Sequence, residues 1–294
     1  MVRLQRVWAA RQRSTRVTMK NTPSAKALLQ KRVEIVHHAQ VGPGYFRMAL
    51  AFPELARMAQ PGQFVMVKLP DQRIPLLRRP FSVHNRIVER GKVTGFELLY
   101  KVVGQGTKAM SEMRKGNALD VLGPLGNGFS YPEGIRSAFL VGGGIGVAPL
   151  YYLALDLAEQ RGIRPTAFLG GCSAADILCQ REFEHMCTNV CITTEDCSLG
   201  ERGVVTSLVQ RAVDGNAKPD MIYACGPQAM LKALGDIAAT HDVPCQVSME
   251  TVMACGFGVC LGCAVEKSGG REGYFHGCTD GPVFDSRDIV LDAL

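Results

Sequence analysis

Toward its C-terminus the chain carries Cys255, Cys260, Cys263 and Cys278 in the spacing Cys-x4-Cys-x2-Cys-x14-Cys, within a glycine-rich stretch of little apolar periodicity. Packing alone cannot organise such a segment, so a bound metal centre has to supply what a hydrophobic core would otherwise provide. Three thiolates so close in sequence converge only if the backbone curls around one point. Gly256, Gly258 and Gly262 permit that curl and leave N–H groups free to face inorganic sulfide. The first three cysteines have the plant-type spacing of a [2Fe-2S] cluster, with the fourth nearer than in plant ferredoxins. A structural zinc also takes four thiolates, but such sites usually pair two CxxC motifs and only one is present. The spacing predicts a cluster on these four residues; a non-catalytic, zinc-stapled module is the alternative.

The rest of the composition is that of a globular chain: 47% hydrophobic and 20% charged over 294 residues. The net charge of +6 suggests a polyanionic partner only until it is located. Nine basic residues and no acidic ones fall in the first 33 positions, and from Glu34 onward 24 basic residues face 27 acidic ones. The body therefore lacks the cationic footprint of a nucleic-acid binder. Residues 1–30 read as a basic, disordered extension; they have the Arg content of a transit peptide without the apolar core of a secretory signal, and Met19 offers a second start. The apolar run from Ala138 to Leu155 contains four glycines and Pro149, which suits a strand, loop and helix start, so no membrane span is expected. Eleven cysteines without a secretory signal point to a reducing, cytoplasmic compartment. The seven outside the cluster motif (Cys172, Cys179, Cys187, Cys191, Cys197, Cys225 and Cys245) read mostly as small buried apolar residues.

The fold class is all-β plus α/β. From residue 31 to 134, short strands at Arg32–His37, Tyr45–Phe52, Gln63–Leu69, Phe81–Ile87, Val93–Val103 and Ala118–Leu122, with one helix at Thr107–Met113, predict an antiparallel β-barrel. From 135 to 245, apolar strands alternate with amphipathic helices, as in a doubly wound parallel sheet whose ligand crevice lies at the carboxyl ends of the strands. Residues 246–294 form the cysteine module.

Four further motifs carry chemistry. In Arg78-Arg79-Pro80-Phe81-Ser82 an Arg can pair with a pyrophosphate and the Ser hydroxyl can reach a flavin edge; read alone, Arg-Pro is an ordinary strand start. Leu99-Tyr100-Lys101 is followed by Gly104-Gln105-Gly106-Thr107, where backbone N–H groups and the Thr107 hydroxyl can meet a phosphate, or merely cap a turn. Gly142, Gly143, Gly144, Ile145 and Gly146 stand at a strand-to-helix junction suited to a dinucleotide, without the usual acidic ribose marker at the expected spacing. Cys225-Gly226-Pro227 closes another parallel strand, where a small thiol can pack beside a nicotinamide or simply be buried. No catalytic triad, HExxH or carboxylate pair stands out. His37, His38, His84, His185, His241 and His276 have no ligand-like spacing, and no catalytic acid or base is assigned.

A hydride carrier moves two electrons and an iron-sulfur cluster moves one, so a chain with both needs flavin to connect them. Arg79-Pro80-Phe81-Ser82, Gly106-Thr107, the GPLGNGF run from Gly123 to Phe129, the GGGIG loop, Cys225-Gly226-Pro227, and the cysteine tail closing on Gly281-Pro282-Val283-Phe284 together resemble the ferredoxin reductase superfamily. Within it they resemble the electron-transfer subunits of NAD-dependent (type 1B) dihydroorotate dehydrogenase. The resemblance implies FAD on Arg79 to Ser82, Leu99 to Lys101 and Gly106 to Thr107, one [2Fe-2S] cluster on the four cysteines, and NAD at the glycine loop with Cys225 to Pro227. It implies an FMN-containing catalytic subunit as partner, in a heterotetramer of two of each. Electrons from dihydroorotate would cross the cluster to FAD and leave as hydride to NAD, in de novo pyrimidine (UMP) synthesis. Gly170-Gly171-Cys172-Ser173 lacks the Arg that NADP-preferring relatives often place there, which leans toward NAD. The flavin subunit of an NAD(P)H-ferredoxin transhydrogenase or a sulfhydrogenase resembles the same domain set and is the alternative.

After anaerobic purification the chain should show flavin and iron-sulfur absorption in the visible and contain iron; a colourless protein with stoichiometric zinc would refute the cluster.

Overall fold

The computed structural model describes residues 28–70, 76–215 and 217–292. The expected basic extension lies almost wholly outside them. Two seven-stranded sheets and one hairpin account for the strands. The first sheet is the barrel: β1 (Leu29–Gly42), β2 (Tyr45–Leu50), β3 (Phe64–Lys68), β4 (Arg79–Ser82), β5 (Asn85–Glu89), β6 (Lys92–Lys101) and β7 (Ala118–Leu125), in the order β4-β3-β7-β1-β2-β6-β5 and antiparallel throughout. Two short helices join it. α1 (Pro53–Met58), which the turn signals do not predict, is preset by Pro53 and buries Leu55 and Ala56. α2 (Gln105–Ser111) starts two residues before the expected helix.

The expected strand Phe81–Ile87 is two strands. The Val83 N–H still donates to Gln63 beside β3, whereas the His84 N–H donates to Glu97 on β6. The chain thus changes pairing partner at Val83–His84, the corner that brings the two ends of the sheet round toward each other. Alternation alone cannot reveal such a corner, because both halves keep the strand pattern.

The second sheet contains β8 (Ala138–Gly143), β9 (Thr166–Gly171), β10 (Asn189–Thr194), β11 (Glu201–Arg202), β12 (Met221–Cys225), β13 (Cys245–Ser248) and, from the cysteine module, β16 (Val283–Asp285). Its order is β11-β10-β9-β8-β12-β13-β16. Six strands are parallel, as the alternation predicts, and β16 is an antiparallel edge on β13. Helices α3 (Val147–Leu155), α4 (Gln180–Met186), α5 (Val205–Asp214) and α6 (Gln228–Thr240) separate the parallel strands, and β14 (Ala264–Glu266) with β15 (Tyr274–His276) forms the hairpin. Among the described residues no helix is long and apolar enough to cross a membrane. Of the cysteines outside the motif, Cys187, Cys225 and Cys245 are buried, Cys179 and Cys191 are half-buried, and Cys172 and Cys197 are exposed, so the expectation that they are mostly buried holds only in part.

α3 joins the two sheets into one body. Tyr152 is buried in the barrel core and donates its hydroxyl to the Ala59 carbonyl at 3.0 Å. Tyr151 stacks on His84 with ring centroids 4.6 Å apart, and His84 Nδ1 lies 2.9 Å from the Ala148 carbonyl, which can only accept, so His84 donates there. His84 is fully buried, and burial lowers its pKa from 6.5 to about 4, against a smaller opposing effect of that hydrogen bond. In the unfolded chain it titrates near its ordinary value, so below about pH 6.5 the unfolded state binds the extra proton and stability falls with pH down to about 4. The size of the effect is roughly 3 kcal/mol. Urea denaturation between pH 7 and pH 4 should show this loss in the parent and a flatter profile in His84→Phe; identical profiles would mean that the imidazole is not held neutral.

Candidate functional site

Two cavities open at the junction of barrel and sheet. The first, about 490 Å³, is lined by every residue the resemblance assigns to FAD: Arg79, Pro80, Phe81 and Ser82 on β4, Leu99, Tyr100 and Lys101 on β6, and Gly106 and Thr107 on α2. Their individual roles depart from the expectation only at Thr107. Of the adjacent arginines, Arg78 is tied to both carboxylate oxygens of Asp120 at 3.1 Å, whereas Arg79, among the described residues, meets nearby backbone carbonyls and no carboxylate. The Thr107 hydroxyl does not face outward. It accepts from the N–H groups of Val103 and Gly104 and donates to the Gly104 carbonyl, so it shapes the loop from within. Tyr100 is positioned from behind: its ring meets Phe81 edge-on at 5.8 Å, and its hydroxyl is 3.0 Å from His38 Nε2. Since His38 Nδ1 donates to the Met113 carbonyl, Nε2 in the neutral ring accepts from Tyr100.

The other wall of this cavity comes from the sheet and the cysteine module: Ile145, Ala148, Pro149 and Cys225, then Ser248 to Thr251, Met253 and Pro282. The Thr251 hydroxyl is buried with no hydrogen-bond partner among the described residues, the kind of orphan that a polar occupant satisfies. Cys225 is buried, and burial pushes its thiol up to about 12, so it stays protonated and acts as a packing group.

The second cavity, about 730 Å³, lies at the carboxyl ends of the parallel strands. Gly143, Gly144, Ile145, Gly226 and Pro227 line it, as expected. Gly142 and Gly146 do not. A side chain on Gly142 would strike Val147 at 2.7 Å, and one on Gly146 would overlap the Cys225 carbonyl, so these two allow close packing beneath the loop. Three acidic residues that sequence reasoning did not single out also line the cavity: Asp176, Glu195 and Glu250. Asp176 accepts from Tyr45 Oη at 2.5 Å and lies 3.5 Å from Lys101 Nζ, tying barrel to sheet. Glu250 borders both cavities, and desolvation raises its carboxyl above the usual range. Its position two residues beyond the C-terminal end of β13, the last parallel strand, was the available signal.

The four motif cysteines come together as two pairs. The Cys260 N–H is 3.5 Å from Cys255 Sγ, and Cys263 Sγ lies 3.2 Å from Cys278 Sγ. Burial would raise the Cys255 thiol, but N–H groups of Cys260, Phe257 and Val259 aimed at its sulfur bring it down to about 6. Burial and the neighbouring Cys263 push Cys278 up to about 12, a proton that a bound cation would displace. Gly256, at φ +84°, sits where any side chain would collide with Met66, which presses the loop onto β3. An all-sulfur donor set in two pairs suits a two-iron cluster. Among the described residues no three His, Cys, Asp or Glu side chains converge on a single point. His276 faces Asp280, whose carboxylate accepts from its backbone N–H at 2.7 Å.

Cys263 and Cys278, 3% and 2% exposed, pack in one apolar cluster with Phe64, Met66, Leu122, Leu125 and Met253. Phe64 and Met253 also line the first cavity. A single layer of side chains therefore separates the buried thiols from the cavity bounded by Arg79 and Tyr100.

Fold and site together define an oxidoreductase of the ferredoxin-reductase type with an appended iron-sulfur module. Residues 27–131 match the oxidoreductase FAD-binding domain, 140–236 the oxidoreductase NAD-binding domain, and 250–290 the iron-sulfur cluster binding domain of dihydroorotate dehydrogenase B. The chain is 41% identical to the dihydroorotate dehydrogenase B (NAD(+)) electron transfer subunit of Desulforamulus reducens, covering 86% of this chain and 95% of that one. It is 40% identical to the subunit of the same name from Shouchella clausii, covering 89% and 98%. The chain belongs to this family of electron transfer subunits. Among solved structures, an NADH-dependent reduced ferredoxin-NADP oxidoreductase superposes with a TM-score of 0.77 at 30% identity, covering 89% of this chain and 90% of that one.

Arg79→Ala should weaken FAD binding roughly tenfold to a hundredfold, the worth of one charge-assisted hydrogen bond, as read by flavin fluorescence on dilution. Arg78→Ala should lower thermal stability with little change in FAD affinity. Equal loss of FAD from both variants would contradict the assignment.

Proposed function

We propose that this chain carries electrons between a dihydroorotate-oxidising, FMN-containing catalytic subunit and NAD+, in de novo UMP synthesis. The observation that carries this reading is the apolar layer of Phe64 and Met253 shared by the buried cysteine pair and the first cavity. Bound FAD supplies the exchange between hydride and single-electron chemistry, and a bound [2Fe-2S] cluster the single-electron relay.

The protein's own residues set the terms. Arg79 holds a phosphate, Phe81 and Tyr100 form the apolar wall for the ring system, and Ile145, on the side that the two cavities share, stands with Cys225 of the first cavity's wall to keep that side apolar. Gly143, Gly144, Gly226 and Pro227 let the dinucleotide approach the strand ends. The carboxylates of Asp176, Glu195 and Glu250, against a Lys101 already paired with Asp176, oppose a further phosphate and support NAD over NADP. The four cysteines hold the cluster. Around the half-buried Cys255 and the exposed Cys260 stand Val252, Val259 and Leu261, which are 87%, 72% and 57% exposed. This apolar rim is the docking face we assign to the catalytic subunit, in a cytoplasmic heterotetramer of two of each. The functional units are residues 31–134, 135–245 and 246–294.

The likeness to the ferredoxin-NADP oxidoreductase structure supports a second reading, the flavin subunit of a transhydrogenase. Dihydroorotate-dependent NAD+ reduction by the chain with its catalytic partner supports the first reading; ferredoxin-dependent turnover without it supports the second. Cys260→Ser should abolish transfer to the partner while leaving NADH reduction of FAD largely intact. Loss of both together would mean that the order of carriers is wrong.

A further inference from the structure

We propose that Asn127 is a positioning residue that fastens the loop bearing Cys278 to the barrel. The inference rests on Cys278 being a cluster ligand. Asn127 lies in the GPLGNGF run, just after β7, in none of the cavity walls. Its backbone N–H donates to the Gly281 carbonyl at 2.6 Å, and its Nδ2 donates to the carbonyls of Thr279 at 3.0 Å and Asp280 at 2.9 Å. Three successive carbonyls immediately after Cys278 are thus held by one residue.

The approach is too close for ordinary side chains beside it. Gly126, at φ +74°, would direct a Cβ to within 2.6 Å of the Gly281 carbonyl and of Pro282, and a Cβ on Gly128 would overlap the Pro61 carbonyl. The Gly-Asn-Gly order is therefore what lets two backbones meet with an amide between them. An amide is needed because each partner is a carbonyl and can only accept. From this anchor the grip reaches the site in two directions. Thr279 touches the first cysteine loop, its methyl 2.8 Å from where Gly258 would bear a Cβ, and Pro282 lines the FAD-side cavity. Asn127 thereby sets how the cysteine loops sit against the wall formed by Phe64 and Met253.

The test uses the full chain carrying FAD and iron, with Asn127→Asp, which keeps the size and removes the donor, and Asn127→Ala. Amide hydrogen exchange over residues 276–282 should quicken by roughly tenfold or more, the equivalent of about one to two lost hydrogen bonds. NADH should still reduce FAD at the parent rate, while reduction of the cluster slows and its electron paramagnetic resonance line shape changes. Loss of iron with FAD retained also supports the assignment, since only the Cys278 loop has been released. Unchanged exchange and cluster reduction would overturn it, and so would loss of iron and FAD together, which would make Asn127 a general barrel residue. A parent chain without iron would instead remove the underlying reading of Cys278, a result distinguishable from either.

Discussion

Everything else in this architecture depends on the burial of two thiols against a barrel. Cys263 and Cys278 are not merely near β3 and β7; they are part of the same apolar cluster as Phe64, Met66, Leu122 and Leu125. Sulfur is apolar enough to be buried there and, once its proton is displaced, reactive enough to hold iron. The glycine-rich module can therefore be loop-like and still be fixed, because its two deepest side chains belong to a core built by another domain. The cost of organising those loops is met by packing on one side and by metal coordination on the other.

The same economy governs the junction of barrel and sheet. α3 contributes Tyr152 to the barrel core and Tyr151 to the stack on His84, so the helix that follows the glycine loop is also the strut between domains. The two cavities share Ile145, Met249 and Glu250, and Lys101 borders both. Neighbouring cavities with shared walls suit hydride transfer, which needs donor and acceptor in van der Waals contact with water excluded. Tyr45, Lys101 and Asp176 close one side of this junction with a charge-assisted hydrogen bond and an ion pair that cross from barrel to sheet.

Much of this was legible in the sequence because the informative residues were local. The cysteine spacing, the Arg-Pro-Phe-Ser strand, the GQGT turn and the GGGIG junction each announce themselves within a few residues, and the order of strands and helices distinguishes barrel from sheet. What sequence reasoning missed depends on distant partners. Arg79 was the arginine expected at FAD, but that Arg78 is held by Asp120, some forty positions away, could not be read; Gly142 and Gly146 prove to be packing glycines only once Val147 and the Cys225 carbonyl are in place; and Thr107 is the local exception, its hydroxyl turned inward by two N–H groups of its own loop. Glu195 and Asp176 were invisible as part of the second cavity's lining because they come from different strand ends than the glycine fingerprint. The strand broken at Val83–His84 was hidden because a change of pairing partner leaves no mark on apolar alternation.

The edge strand β16 follows all four cysteines in the chain, yet it pairs with β13, which precedes them. The metal-binding loops are therefore a closed excursion, tied at both ends into the dinucleotide sheet. A nascent chain cannot complete that sheet edge until the last cysteine has emerged, so by the time both ends of the loops are anchored the whole ligand set is present between them.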